Sequence, residues 1–218
     1  MEALADRGSP EKTHSGWPDI AVLADSVKDT EQTRRYSMDL RLDEAVAVLQ
    51  RTPSALRALL ADLPQCWLRS KEGPDTFSPY EVLGHLLHGE ETDWMPRARM
   101  ILEHGESTPF APFDRFAFRE KYRGKEMSEL LDMFEAIRSK NLEALDQMAL
   151  GGGQLRLPGR HPELGRVTLG QLLATWVVHD LAHISQIVRV MARQYDSAVG
   201  PGKANLAIIN KSVTLMAA

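Results

Sequence analysis

Apolar residues along this chain recur at spacings of three and four over four long stretches, and no series of alternating segments competes with them. That period gives each stretch one apolar helical face. Leu42, Ala45, Val46, Leu49, Leu56, Leu59 and Leu60 predict a first helix from Leu40 to Leu63. Pro53 falls in its middle. A proline lacks the N–H and crowds the carbonyl four residues earlier, so the helix is expected to kink or split there; Pro64 ends it. A second helix opens on Ser78-Pro79-Tyr80-Glu81, a capping box with serine at the N-cap, proline at the first helical position and glutamate at the third. It continues through Val82, Leu83, Leu86 and Leu87 to Glu103, with Pro96 as a point of bending. Leu130, Leu131, Phe134, Ile137, Leu142 and Leu145 predict a third helix from Glu126 to Met148. A fourth starts at a second capping box, Thr168-Leu169-Gly170-Gln171. It is apolar on nearly every side, which marks a helix in the middle of a core.

The segments between these helices read as connections. Ser107 to Gly124 is a loop rich in proline and phenylalanine, Gly151-Gly152-Gly153 breaks the chain, and residues 154–167 hold a small hairpin or an extended loop. Gly200-Pro201-Gly202 marks a turn. Gly8, Ser9, Pro10, Gly16 and Pro18 interrupt any period near the start, so residues 1–37 are expected to be a tail with at most a short helix from Ile20 to Lys28, and residues 211–218 a second tail. Four long helices without a strand series give an all-α fold, a four-helix bundle over residues 38–210.

Hydrophobic residues make up 43% of the chain, enough for a sizeable core, but only 6% are aromatic, so Leu, Val, Ala and Met carry the packing. A net charge of −4 and a pI near 6.0 argue against a nucleic-acid partner. The basic clusters at Arg34-Arg35 and from Arg119 to Lys125 read as solvated surface. The single cysteine, Cys66, excludes an intrachain disulfide and the Cys-paired zinc motifs. No apolar run reaches the ~20 residues of a membrane span, and the opening from Met1 to Arg7 has no apolar signal core. The protein is therefore expected in the cytoplasm, away from membranes.

Histidines change the picture. His179 and His183 stand four residues apart in the apolar run from Trp176 to Gln186, so a helix puts both on one face, one turn apart. His85 lies among core-type residues of the second helix, with His88 one turn further on. Buried polar groups without partners are costly, and metal sites in bundles are built from side chains on facing helices. If the second and fourth helices pack together, His85, His179 and His183 converge on one ion; His88 is able to replace or join His85. His14, His104 and His161 fall in tail or loop regions and are expected to face solvent. Glu81 and Asp180 adjoin the candidate ligands but read equally as surface or helix-start charges, and Glu90 and Glu91 as solvated. Gln186 is placed to line the site. Trp94 and Trp176 are assigned to packing, and Arg138 to shaping a pocket or holding an anion.

The run Ser78-Pro79-Tyr80-Glu81-Val82-Leu83-Gly84-His85-Leu86 resembles the first motif of the DinB-like superfamily, named for DNA-damage-inducible proteins. His179-Asp180-Leu181-Ala182-His183-Ile184-Ser185-Gln186-Ile187 resembles its second motif, Arg138, Asn141, Leu142 and Leu145 its third-helix pattern, and Val199-Gly200-Pro201 its closing segment. The resemblance implies a four-helix bundle, commonly a homodimer, with a divalent metal held by His85, His179 and His183. His85 ranks above His88 because it matches the family position. Zinc or nickel ranks first as the metal, with iron or manganese behind, since neutral imidazole suits several of these ions.

Three protein ligands leave a coordination position open, as in catalytic zinc sites. The resemblance implies a metal-dependent enzyme acting on a small molecule, with thiol-dependent transfer or isomerisation as the first reading and a low-molecular-weight thiol such as mycothiol or bacillithiol as co-substrate. Metal-dependent hydrolysis is the alternative; a non-catalytic metal- or ligand-binding bundle of the stress response is a third. No catalytic residue beyond the metal ligands, no phosphate-binding loop and no dinucleotide fingerprint can be named from the sequence.

Overall fold

Pro53 decides how the bundle begins. In the computed structural model, which describes residues 40–210, the first predicted helix is two helices, α1 (Leu42–Leu49) and α2 (Thr52–Leu60), and Pro53 sits in the first turn of the second, where a missing N–H costs nothing. A short α3 (Gln65–Arg69) follows. The second predicted helix is divided as well, into α4 (Pro79–Thr92) and α5 (Trp94–His104), meeting at Asp93. Within the predicted loop a single turn, α6 (Phe118–Lys121), leads to α7 (Met127–Gln147), which keeps to its predicted span.

Both breaks free a backbone carbonyl, and α7 fills each one. In an unbroken helix the residue at position 53 would donate its N–H to Leu49; Arg138 Nη1 donates to the Leu49 carbonyl instead, at 2.9 Å. At the second break the Glu90 carbonyl accepts from Asn141 Nδ2 at 2.9 Å. Such groups are costly when buried and unmet.

The triple glycine opens a short turn, α8 (Gly152–Leu155), which is followed by a hairpin of β1 (Pro158–His161) and β2 (Gly165–Thr168), paired antiparallel with Pro158 opposite Thr168 and His161 opposite Gly165. Gly165, where β2 begins, has φ +73°, a backbone region that glycine enters without steric cost. Gly159 lets β1 lie close on α5: a Cβ there would stand 2.6 Å from Ile101 Cγ1. The hairpin feeds directly into α9 (Leu169–Arg193), because Thr168 ends β2 and caps α9. Thr168 Oγ1 accepts from the Gln171 N–H and Gln171 Oε1 from the Thr168 N–H. Ser78 and Glu81 cap α4 in the same reciprocal way, a contribution of about 1 kcal/mol. A 3₁₀ turn (Gly200–Asn205) and α10 (Ala207–Asn210) follow α9.

The helices meet in three layers. One apolar layer joins Leu56, Leu60, Leu83, Leu86, Leu87, Leu130, Phe134 and Ile187. The other joins Leu49, Trp94, Ala98, Ile101, Leu145, Leu173 and Trp176. Between them in sequence, on three of the helices, lie Glu90, Arg138, Asn141 and Asp180, all buried.

Two expectations are corrected. The fourth helix is not enclosed: Val178 is 63% and Leu181 50% exposed, and Thr175 and Ser185 extend that open stripe. α9 packs on α1, α4 and α5 through its other side, so its apolar character exceeds what the core covers. His161 does not simply face solvent. Its ring packs edge-on against Phe110, and Nδ1 accepts the Glu163 and Leu164 N–H groups that the hairpin loop leaves over. The expected tails, the Ile20 to Lys28 helix and His14 lie outside the described residues. No described helix is long and apolar enough to cross a membrane.

Candidate metal centre

α4 and α9 lie side by side and bring three imidazoles to one point. His85 projects from the middle of α4, and His179 and His183 from consecutive turns of α9. His179 Nε2 stands 3.2 Å from His85 Nε2 and 3.2 Å from His183 Nε2, and the ligand-type nitrogens of all three lie within 4.8 Å of one another. A tetrahedral ion with metal–nitrogen bonds of about 2.0–2.1 Å holds its ligand nitrogens about 3.3 Å apart. Both separations from His179 match that spacing, so the cluster is able to coordinate a divalent metal. Gln186 Oε1 lies 2.9 Å from His183 Nδ1. That amide oxygen only accepts, so Nδ1 carries the proton and Nε2 keeps its lone pair for an ion.

Burial keeps the rings neutral. Desolvation first, then the neighbouring His183, pushes His85 down to about 3 from the usual 6.5, and the same causes together with His85 and Arg138 push His179 down to about 2. His183 is lowered by burial, against the opposing pull of Gln186 and Asp180. Neutral imidazole is the ligating form. In the unfolded chain these histidines take up a proton near pH 6.5, whereas in the metal-free fold they resist it. The stability they contribute is thus complete above pH 6.5 and lost as pH falls toward the folded values. At pH 5 the metal-free protein should be less stable than at pH 7 by about 2 kcal/mol for each of His85 and His179. Urea denaturation in chelator at the two pH values measures this; equal midpoints would contradict it.

An aromatic wall surrounds His85. Its ring meets Phe77 and Phe113 at 5.6 Å and Phe118 at 6.2 Å. Gly84 admits Phe118 to that place, since a Cβ there would stand 2.8 Å from Phe118 Cδ2. His88 lies outside the three-histidine cluster and packs on Phe113 at 5.1 Å.

Glu81, Gln186 and the two tryptophans keep their sequence-based roles, whereas Glu90 and Asp180 do not. Glu81 belongs to the cap of α4 and pairs with Lys71 at 2.7 Å and Arg119 at 3.1 Å. Gln186 does line the cluster. Trp94 and Trp176 stack on each other at 5.9 Å, and Trp94 also packs its ring against His179 at 5.1 Å. Glu90 and Asp180, read as solvated or surface charges, are 1% and 0% exposed. Arg138 is buried between the two carboxylates and pairs with both. The sequence did carry a signal for this: Glu90 and Asp180 occupy core register, three or four residues from Leu86, Leu87 and Trp94 and from Trp176.

The sequence pattern of the DinB superfamily matches residues 48–187. No curated protein matches the chain. Among solved structures it is similar to YfiT from Bacillus subtilis, described as a probable metal-dependent hydrolase with an unusual four-helix bundle topology. The TM-score is 0.61 at 21% identity, over 78% of this chain and 91% of that one, a likeness of fold. The family pattern spans both helices that carry the histidines, and on it the chain belongs to the DinB superfamily.

Proposed function

We propose that the chain is a metal-dependent hydrolase of a small-molecule substrate, with His85, His179 and His183 as the ligands of one divalent ion. The observation that carries this reading is the pair of 3.2 Å Nε2 separations centred on His179, which match the spacing of nitrogens around a tetrahedral ion. An ion held by three protein ligands supplies Lewis acidity and makes water a nucleophile near neutral pH. The chain's own residues do the rest. Burial holds the imidazoles neutral, Gln186 fixes the tautomer of His183, and Phe77, Phe113 and Phe118 limit water around His85. Glu90 is committed to Arg138, Asn141 and Trp176 and is not available as a general base.

YfiT's description as a probable metal-dependent hydrolase supports hydrolysis over the thiol-dependent transfer that the family resemblance first suggests. Zinc suits the separations, with nickel beside it and iron or manganese behind. The test is a panel of ester and amide substrates given to metal-loaded and metal-stripped protein, with and without low-molecular-weight thiols. Hydrolysis that needs the metal and no thiol is the expected result. Turnover that appears only with a thiol would overturn hydrolysis in favour of transfer. The homodimer implied by the resemblance would use the open α9 stripe around Val178 and Leu181; sedimentation showing only monomer at micromolar concentration would remove it.

A further inference from the structure

The three histidines adjoin a buried charged layer that is not electrically balanced. Glu90 from α4, Arg138 from α7 and Asp180 from α9 are each no more than 1% exposed. Arg138 Nη2 donates to Glu90 Oε1 and Nη1 to Asp180 Oδ2, both at 2.7 Å. Glu90 also accepts from Asn141 Nδ2 at 2.9 Å and from Trp176 Nε1 at 2.8 Å. Two carboxylates therefore share one guanidinium, leaving one negative charge in surplus. Asp180 Oδ1 is buried with no hydrogen-bond partner among the described residues. The neighbouring buried pair, Asp93 with Arg97, is balanced within itself and offers no compensation.

Surplus charge in an interior is costly unless something of opposite sign lies near. The histidine cluster is where a cation would fit. Asp180 adjoins His179 in sequence and precedes His183 by three residues, so on α9 it is one turn from the second ring. Contacts run the same way. Glu90 holds the Trp176 N–H, Trp176 stacks on Trp94, and Trp94 packs against His179. We propose that Glu90, Arg138 and Asp180 form a positioning layer for the metal ion: the surplus negative charge favours a divalent cation at the histidines, and the layer's bonds fix the wall against which His179 is set. This rests on the metal-ligand reading above.

The experiment titrates zinc and copper(I) separately, each against a competing chelator, into the full chain and its variants. Asp180→Asn keeps the shape and removes the charge. Attraction scales with the charge of the ion, so zinc should bind about 30-fold more weakly and copper(I) only about fivefold more weakly. Glu90→Gln makes the same change of charge at the other end of the layer and carries the test if Asp180→Asn does not fold. Equal losses for the two ions would mean that the substitutions merely distort the site, and would overturn the charge-matching role, as would unchanged zinc affinity. Parent protein that takes up no zinc would overturn the ligand assignment itself. Parent protein that binds zinc stoichiometrically, with variants that bind it equally well, would overturn only this inference.

Discussion

His179→Ala is expected to purify without its metal. His179 is the hub of the cluster, because both 3.2 Å nitrogen contacts run through its Nε2. Without it, His85 and His183 remain as two ligands from separate helices. Apparent binding free energies of about 10–16 kcal/mol for four-ligand zinc sites correspond to about 3 kcal/mol per ligand. Losing one ligand should therefore weaken binding by about two orders of magnitude. Elemental analysis of parent and variant, purified side by side, reads the result. Hydrolysis should fall in proportion to the metal lost. The helix itself should survive, since alanine has the highest helix propensity and α9 is anchored by its cap at Thr168 and by the buried Trp176 and Ile187. A variant that keeps stoichiometric metal would mean that the nitrogens of His179 are not ligands.

The parts of the fold legible in the sequence are those written in local chemistry. Ser78 with Glu81 and Thr168 with Gln171 fix the starts of α4 and α9, because each pair satisfies backbone groups within its own first turn. The pair His179 and His183 is legible for a similar reason: a spacing of four fixes their common face whatever surrounds them. His85 needed more. Its meeting with them depends on how α4 packs beside α9, which the family resemblance supplied and the spacing did not.

What could not be read was set by neighbours far off in sequence. Pro96 did mark the bend, since the break at Asp93 leaves it in the first turn of α5, but nothing local shows that Asn141 on α7 supplies the partner for the Glu90 carbonyl. Val178 and Leu181 look like core residues by type, but no described helix covers that side of α9. Glu90 and Asp180 err in the opposite sense. Taken one residue at a time, a carboxylate belongs in water. Taken by register, both fall on the buried stripes of their helices, and Arg138 falls on the buried stripe of α7 between Phe134 and Leu142. Charges of opposite sign in core register on three helices are the signature of a buried ionic layer, visible only when the helices are compared.

That layer gives the largest expected loss of stability. Arg138→Met keeps an unbranched apolar stem and removes the charge and its hydrogen bonds. Glu90 and Asp180 are then left buried without their cation, and the Leu49 carbonyl loses the donor that replaces the N–H absent at Pro53. Breaking a buried ion pair from one side costs about 3–5 kcal/mol, because the remaining charge is uncompensated. Two carboxylates stay behind here, so the upper part of that range is expected, as a lowered urea midpoint at pH 7. A bound divalent ion would offset part of the loss by lying near the enlarged surplus of buried charge, so chelator should widen the gap between Arg138→Met and the parent. Combining Arg138→Met with Glu90→Gln and Asp180→Asn removes every charge of the layer, and the triple variant should be more stable than Arg138→Met alone even though it carries more substitutions. That inversion distinguishes stranded charge from lost packing. If packing were the cause, each added substitution would lower the midpoint further.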